Sequence, residues 1–297
     1  MDRLHLMTVY VAVVEAEGFA GGARSLHMSP PAVTRAIAAL EERLGVKLLN
    51  RTTRFVRMTE AGQKYYEDAK RIIALADEAD GAALGINATP RGQLHITASV
   101  LFGRLYIMPG IIAYLRQYPA VEVEALFVDR VVNLLEEGVD VAIRIAELPD
   151  SSYRALRVGS VRRVLCASPE YLAQHGIPQT PDDLPRHRII MARSLSLTND
   201  LRFLSDGHPV TVKIKPMLSV SDNDSAANAA IAGLGITRLL SYQIAEPLQA
   251  GKLKIVLSDF ESPPVPVHIL HREGRHSSAK IRSFVDFMAE RLRAELA

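Results

Sequence analysis

The sequence predicts an α+β multidomain chain. A small helical domain with a β-wing comes first, then a long connecting helix, then a larger α/β region. Three observations predict it. Residues 29–35, Ser-Pro-Pro-Ala-Val-Thr-Arg, open a helix just behind a shorter one. Glu60 to about Leu84 reads as one amphipathic helix with no proline and no glycine between Gly62 and Gly81. Beyond Gly92, strand-like and helix-like segments alternate to the end. With 297 residues the chain can build two or three domains with cores of their own.

In chain order, Leu4, Met7, Val11 and Val14 mark a first helix that ends at Gly18, with Phe19 tucking back beneath it. A short helix, Gly22 to Leu26, and a tight connection, His27-Met28, follow. Ser29 is a good N-cap for the next helix, where a first-turn proline forfeits no intrahelical hydrogen bond. Val33, Ile37, Leu40 and Leu44 share its apolar face and Gly45 stops it, while Thr34, Arg35 and Ala38 lie opposite. Two short helices of this kind suit the DNA major groove. An ordinary helical hairpin with a solvated polar face has the same spacing, and the next residues favour DNA. Lys47, Arg51, Arg54 and Arg57 fall within eleven positions, around a Thr-Thr turn and a strand-like Phe55-Val56. From Arg24 to Arg57 seven basic residues face two acids, a local charge of +5, which is a footprint for phosphate. Over the whole chain 35 Lys+Arg nearly cancel 33 Asp+Glu, so this basicity is a local asymmetry.

Tyr65, Ala69, Ile72, Ile73, Ala76, Ala79 and Ala83 mark a narrow stripe on the long helix. A small DNA-binding domain cannot cover a helix of that length. The stripe is therefore expected to pair with its twin in a second chain, the alternative being a helix laid on its own C-terminal domain. Residues 86–92 form a polar linker bounded by Pro90 and Gly92. Strands are then predicted at 94–98, 121–128, 139–145, 161–167, near 189, at 201–204, 217–220, 235–239, 253–256 and 265–270. Helices are predicted at 104–118, 131–137, 169–175, 225–232, 242–250 and 279–295. Such alternation implies a mostly parallel sheet covered on both faces. A ligand crevice is then expected beyond the carboxyl ends of the strands, at Ser99-Val100-Leu101, Val128-Asp129, Arg144, Arg193-Ser194 and Ser221 to Asp224. Ser99 offers a hydroxyl beside free helix N-terminal amides, which suits a carboxylate. Ser99, Asp224 and Ser225 could equally serve as helix caps, and Asp222 or Asp224 would repel an anion.

The stretch Phe19 to Gly62 resembles the N-terminal winged helix-turn-helix of LysR-type transcriptional regulators. Phe19, Ala23, Leu26, residues 29–35, Ile37, Leu40-Glu41, Leu44-Gly45, Leu48-Leu49, Arg51-Thr52 and residues 58–62 carry the likeness. Residues 140–145 with 147–152, 164–169 with Tyr171-Leu172, and 232–236 resemble its CrgA-like subgroup, so the likeness covers essentially the whole chain. Where many members carry glutamine this chain has Pro30. Base contacts are accordingly expected from Pro31, Thr34 and Arg35, and backbone or minor-groove contacts from Ser29, Lys47, Arg51, Thr53 and Arg54. The resemblance implies a DNA-binding domain over 1–59 and a dimerisation helix with its hinge over 60–91. Over 92–297 it implies a type 2 periplasmic-binding-protein-like effector domain, with one lobe of 92–165 plus 268–297 and another of 166–267. Within that domain it points to Ser99, Leu101, Val128, Ser194 and Asn223 at the effector, to which the strand-end reading adds Val100 and Arg144. It further implies double-stranded operator DNA, a small organic acid effector, a homodimer built through the linker helix, a homotetramer, and contact with RNA polymerase, with no cofactor.

Rival chemistries lack their residues. Gly233-x-Gly235 has Arg238 where a dinucleotide fingerprint needs its third glycine. There is no P-loop and no G-x-S-x-G elbow. Cys166, the one cysteine, sits in an apolar strand as core and fits a reducing cytosol. His268 and His271 point to opposite faces of a strand and make a poor metal pair. The N-terminal residues carry acids and read as a helix, not a signal peptide, and no run is long enough to span a membrane. A cytoplasmic, non-enzymatic regulator is expected. An exported solute-binding protein would need neither wing nor long helix, and a nonspecific DNA binder would need no ligand crevice.

Overall fold

Asp2 caps the first helix, α1 (Arg3–Glu15), and the chain leaves it through Glu17, held at a positive φ of 50°. The computed structural model describes residues 2–51, 56–83, 89–148, 153–193, 198–272 and 278–296. They fall into two units, residues 1–93 with 275–279 and the remainder.

In the first unit α2 (Phe19–Ser25) begins earlier than the sequence predicts, because Gly21 and Gly22 let it press on α1. A Cβ on Gly22 would stand 2.9 Å from Val13 Cα. His27, at φ 51°, makes the tight turn into α3 (Pro30–Leu44), which Gly45 ends in the left-handed region at φ 69°. Leu6, Val9, Tyr10 and Val13 of α1 pack against Val33, Ala36, Ile37 and Leu40 of α3, with Leu48 and Leu49 closing the core. β1 (Leu49–Arg51) and β2 (Val56–Met58) form the antiparallel wing, with Asn50 opposite Arg57. The Thr59 hydroxyl then caps α4 (Glu60–Ala83) by accepting from the Gly62 N–H at 2.9 Å. Gly62 is obligatory there, since a Cβ would lie 2.1 Å from the Leu48 carbonyl oxygen. Tyr65 and Ala69 join the core, whereas farther along the helix Ile72 of the stripe and Leu75 beside it are exposed.

The second unit holds two five-stranded sheets. Its chain order is β3 (Gly92–Ala98), a helical stretch of α5 (Val100–Phe102), a π-turn (Gly103–Ile107) and α6 (Met108–Gln117), then β4 (Val121–Phe127), β5 (Val141–Ile145) and β6 (Tyr153–Val161). Next come β7 (Arg163–Ala167), α7 (Pro169–His175), β8 (Ile189–Ala192), β9 (Asp200–Ser205), β10 (His208–Lys213), β11 (Leu218–Val220), α8 (Asn223–Ile231) and β12 (Ile236–Leu240). A 3₁₀ turn (Ser241–Ile244), α9 (Ala245–Gln249), β13 (Lys254–Val256), β14 (Val265–Arg272) and α10 (Ala279–Glu295) complete it. The first sheet runs β4-β3-β5-β14-β6 and the second β11-β8-β12-β7-β13, with β9 and β10 as a separate hairpin.

Three expectations are corrected here. The sheets are mixed, not mostly parallel: β14 returns to the first sheet and pairs antiparallel with both β5 and β6, and β7 is antiparallel to β12 and β13. Residues 131–137 form turns, not a helix. Asn133 Oδ1 accepts from the Leu135 and Glu136 N–H groups, and Arg130 grips the Glu137 carboxylate with both Nη atoms at 2.6–2.7 Å. The strand expected over 161–167 is two strands in different sheets, changing sheet at Arg162.

Candidate nucleic-acid interface and ligand cleft

The exposed side of α3 carries Pro31, Thr34, Arg35 and Ala38, the face that its buried Val33, Ile37 and Leu40 leave outside. The Thr34 hydroxyl donates back to the Pro30 carbonyl at 3.0 Å, which occupies its one hydrogen and leaves its lone pairs facing outward. Ser29 has the extended backbone of an N-cap, yet its side chain caps nothing, because Pro30 and Pro31 have no N–H and the Ala32 amide donates to the Ser29 carbonyl at 2.9 Å. Its exposed hydroxyl is left facing solvent. Arg24, Arg43, Lys47 and Arg57 are exposed around this face. Thr53 and Arg54, and the side chain of Arg51, lie outside the described residues.

Glu41 is the residue that sequence reasoning missed. It counts as an acid against the basic patch, yet it is 3% exposed. Its Oε1 accepts from the Leu48 and Leu49 amides at 3.0 and 3.2 Å, and its Oε2 from Lys47 Nζ at 2.7 Å. Burial pushes this carboxyl up, but the Lys47 ammonium and the two amides outweigh it and hold the group below its ordinary range. Glu41 thus ties the wing to the recognition helix, and the exposed Lys47 is anchored at its root.

The second unit contains a cleft of about 510 Å³ lined from both sheets. Of the residues expected there, it collects Ser99, Val128, Asp129, Arg144 and Asn223. Val100 and Leu101 are not in its lining: Val100 is exposed and Leu101 packs on the first sheet's core. Arg193 instead holds Asn199 at 2.8 Å, and Ser194 lies outside the described residues. Asp222 caps α8 through the Ser225 N–H at 2.8 Å. One amide of the expected cradle beside Ser99 is already taken, since Asp129 Oδ1 accepts from the Val100 N–H at 3.0 Å. Arg144 also lines this cleft, half-buried. Burial lowers the pKa of the Arg144 guanidinium, Glu137 opposes that and Arg130 adds to it, and Nη2 is buried with no hydrogen-bond partner among the described residues. The walls around it are apolar, with Val132, Leu134, Leu148 and Leu270.

Tyr242 and Gln243, unforeseen, complete the lining. They follow the carboxyl end of β12, so the strand-end rule that singled out Ser99 applies to them equally. Burial pushes the Tyr242 phenol up to about 12, with Ser99 and Gln243 pulling the other way. The Ser99 Oγ is buried without a hydrogen bond of good geometry, so it stands ready beside the phenol. Gly235 is structural, its Cα pressed so close to the Arg188 carbonyl that a Cβ would meet it at 2.2 Å. Cys166 is buried, and burial raises its thiol to about 12. Among the described residues no single helix is long and apolar enough to cross a membrane.

A winged helix-turn-helix, a long helix and a two-sheet domain with a ligand cleft define a ligand-binding DNA regulator. Residues 4–63 match the family model for bacterial regulatory helix-turn-helix proteins of the lysR family, and residues 87–293 match that for the LysR substrate binding domain. The chain belongs to the LysR family of bacterial transcriptional regulators, which are not enzymes. It is 32% identical to the regulator CrgA of Neisseria meningitidis, over 96% of each chain. The solved CrgA structure superposes with a TM-score of 0.61 at 31% identity, covering 98% of this chain and 99% of that one. The transcriptional activator AaeR of Escherichia coli is 31% identical, over 98% of this chain and 94% of its own. The full-length structure of AphB, a virulence activator of Vibrio cholerae, gives a TM-score of 0.62 at 27% identity, over 97% and 99%.

Proposed function

We propose that this regulator reads a specific operator and that a small organic acid, bound in the Arg144 cleft, modulates that engagement. The observation that carries the reading is the half-buried Arg144, whose Nη2 is buried and has no hydrogen-bond partner among the described residues, in a largely apolar cleft. A carboxylate on a compact apolar body would satisfy it, with Ser99, Asn223 and Tyr242 within the same lining. Binding between two sheets can move them relative to one another only by its differential affinity for the two arrangements.

On DNA, Pro31, Thr34 and Arg35 face the bases in this reading, and Ser29, Lys47, Arg51, Thr53 and Arg54 the phosphates and minor groove. The uncovered Ile72 and Leu75 support pairing of two α4 helices of about 36 Å each, and thereby a homodimer, two of which make the tetramer. RNA polymerase is then the neighbour on a promoter, and the cytoplasm the place of action. In this reading residues 1–59 bind DNA, 60–91 form the dimerisation helix and hinge, and 92–165 with 268–297 and 166–267 form the two effector lobes.

The test is a footprint of the full-length protein on DNA flanking its own gene at physiological salt. A protected stretch of several helical turns, altered when candidate carboxylates are added and unresponsive in Arg144→Met, is expected. Arg35→Ala should lose about 1–3 kcal/mol on the operator and little on random DNA. Arg54→Ala should weaken both alike and flatten the salt dependence. Weak uniform protection that vanishes with modest salt would refute operator reading.

A further inference from the structure

A second cavity, of about 450 Å³, lies against the second sheet. Its floor is apolar: Leu165, Ile189, Met191 and Ile236 come from the core cluster on that face. Over this floor three strands each bring one arginine, Arg163 from β7, Arg202 from β9 and Arg238 from β12. Asp200 is the only acid among the described lining residues, so the lining keeps a net charge of +2.

None of these three arginines has a carboxylate within ion-pair distance among the described residues. Neighbouring Arg162 shows the contrast, for Glu261 neutralises it with two bonds of 2.6 and 2.7 Å and is thereby taken out of use. Arg238 is held in place by its Nη1 bond to the Arg202 carbonyl at 3.3 Å, an acceptor it shares with the Ser262 hydroxyl at 3.1 Å. Burial, then the charges of Arg163 and Arg202, bring its pKa down to about 10. Packing alone gives no reason to gather three cations over an apolar floor. Arg163 and Arg202 are exposed, whereas Arg238 is half-buried, and an anion would offset both its lost hydration and the repulsion of its two neighbours.

We propose that this cavity is a second anion site, separate from the Arg144 cleft, which takes an organic anion with an apolar body. The carboxylate, phosphate or sulfonate group meets Arg238 with Arg163 and Arg202, and the body lies on Leu165, Ile189, Met191 and Ile236. The first cleft is lined from both sheets and the second cavity from the second sheet and the β9–β10 hairpin, and their linings share only Asn223, Leu240 and Gln243. Gln243 holds the Leu240 N–H at 2.9 Å, so occupancy of one site bears on a wall of the other.

The probe is 8-anilinonaphthalene-1-sulfonate, titrated by fluorescence into the full-length protein without DNA, so failure of operator reading does not touch the result. Arg238→Met should weaken one site per chain by about tenfold or more, and Arg238→Lys should retain most of that affinity. Arg144→Met should leave the site within about threefold. Far-ultraviolet circular dichroism and a thermal scan of each variant report whether it is folded, and Arg202→Ala replaces Arg238→Met if that variant is not. Unchanged affinity in the arginine variants of the second sheet would overturn the proposal. So would loss of the same site in Arg144→Met, because the cavity would then be part of the first cleft.

Discussion

Removing the Glu41 carboxylate should loosen the wing without touching its surface. In Glu41→Ala the Leu48 and Leu49 amides, bonded at 3.0 and 3.2 Å and buried, lose their acceptor. Each orphaned amide costs about 1–3 kcal/mol, and since the two share one partner a combined loss of about 2–4 kcal/mol is expected. The Lys47 ion pair adds little, about 0.2–1 kcal/mol, because that ammonium is 73% exposed. Glu41→Gln keeps an acceptor for the amides and should cost only about 1 kcal/mol. Hydrogen exchange of the 45–58 segment in the full-length protein reads the difference. The slow amides should exchange about 30- to 1000-fold faster in Glu41→Ala and about fivefold faster in Glu41→Gln. The carboxyl is held below its ordinary value of about 4.3, so its charge stabilises the fold above that pH and the contribution is lost as pH falls through the lowered value. Wild type and Glu41→Gln should therefore converge on acidification. A change below threefold in Glu41→Ala, or equal losses in both variants, would refute the reasoning.

Two further outcomes are expected. Gly62→Ala places a methyl 2.1 Å from the Leu48 carbonyl oxygen, a backbone atom, and should cost more than about 2 kcal/mol, read as a lower midpoint in thermal unfolding. An unchanged midpoint would count against that close approach. The Cys166 thiol, buried and raised to about 12, should resist a thiolate-selective disulfide reagent at pH 8 in the native protein and react once urea unfolds it. Prompt reaction of the folded protein would show that the strand opens.

Most of the local architecture was legible in the sequence, because it rests on spacing and capping. Val33, Ile37 and Leu40 bury as their period requires, Gly45 ends α3, Thr59 caps α4, and α10 spans the predicted 279–295. Some signals were present and unread. Asp206-Gly207, at φ 49° and 78°, is a two-residue hairpin turn that joins β9 to an unpredicted β10. Residues 131–137 have helical spacing, but Asn133 and the Arg130–Glu137 clamp offer the backbone other partners.

The sequence by itself determined what depends on neighbours along the chain: the helix pair, the wing, the basic patch, the long helix and the strand ends where a cleft opens. Only the tertiary structure decided what depends on residues far apart in sequence meeting in space. It placed β14 antiparallel beside β5 and β6, set Asp129 on the Val100 amide expected to be free beside Ser99, and left Arg144 Nη2 buried without a partner among the described residues. It also brought Arg163, Arg202 and Arg238 from three strands over one apolar floor. The reason is physical. A cap or a helical period is satisfied within a few residues, whereas a charge's worth is set by burial and by its partners, and those are supplied by the fold.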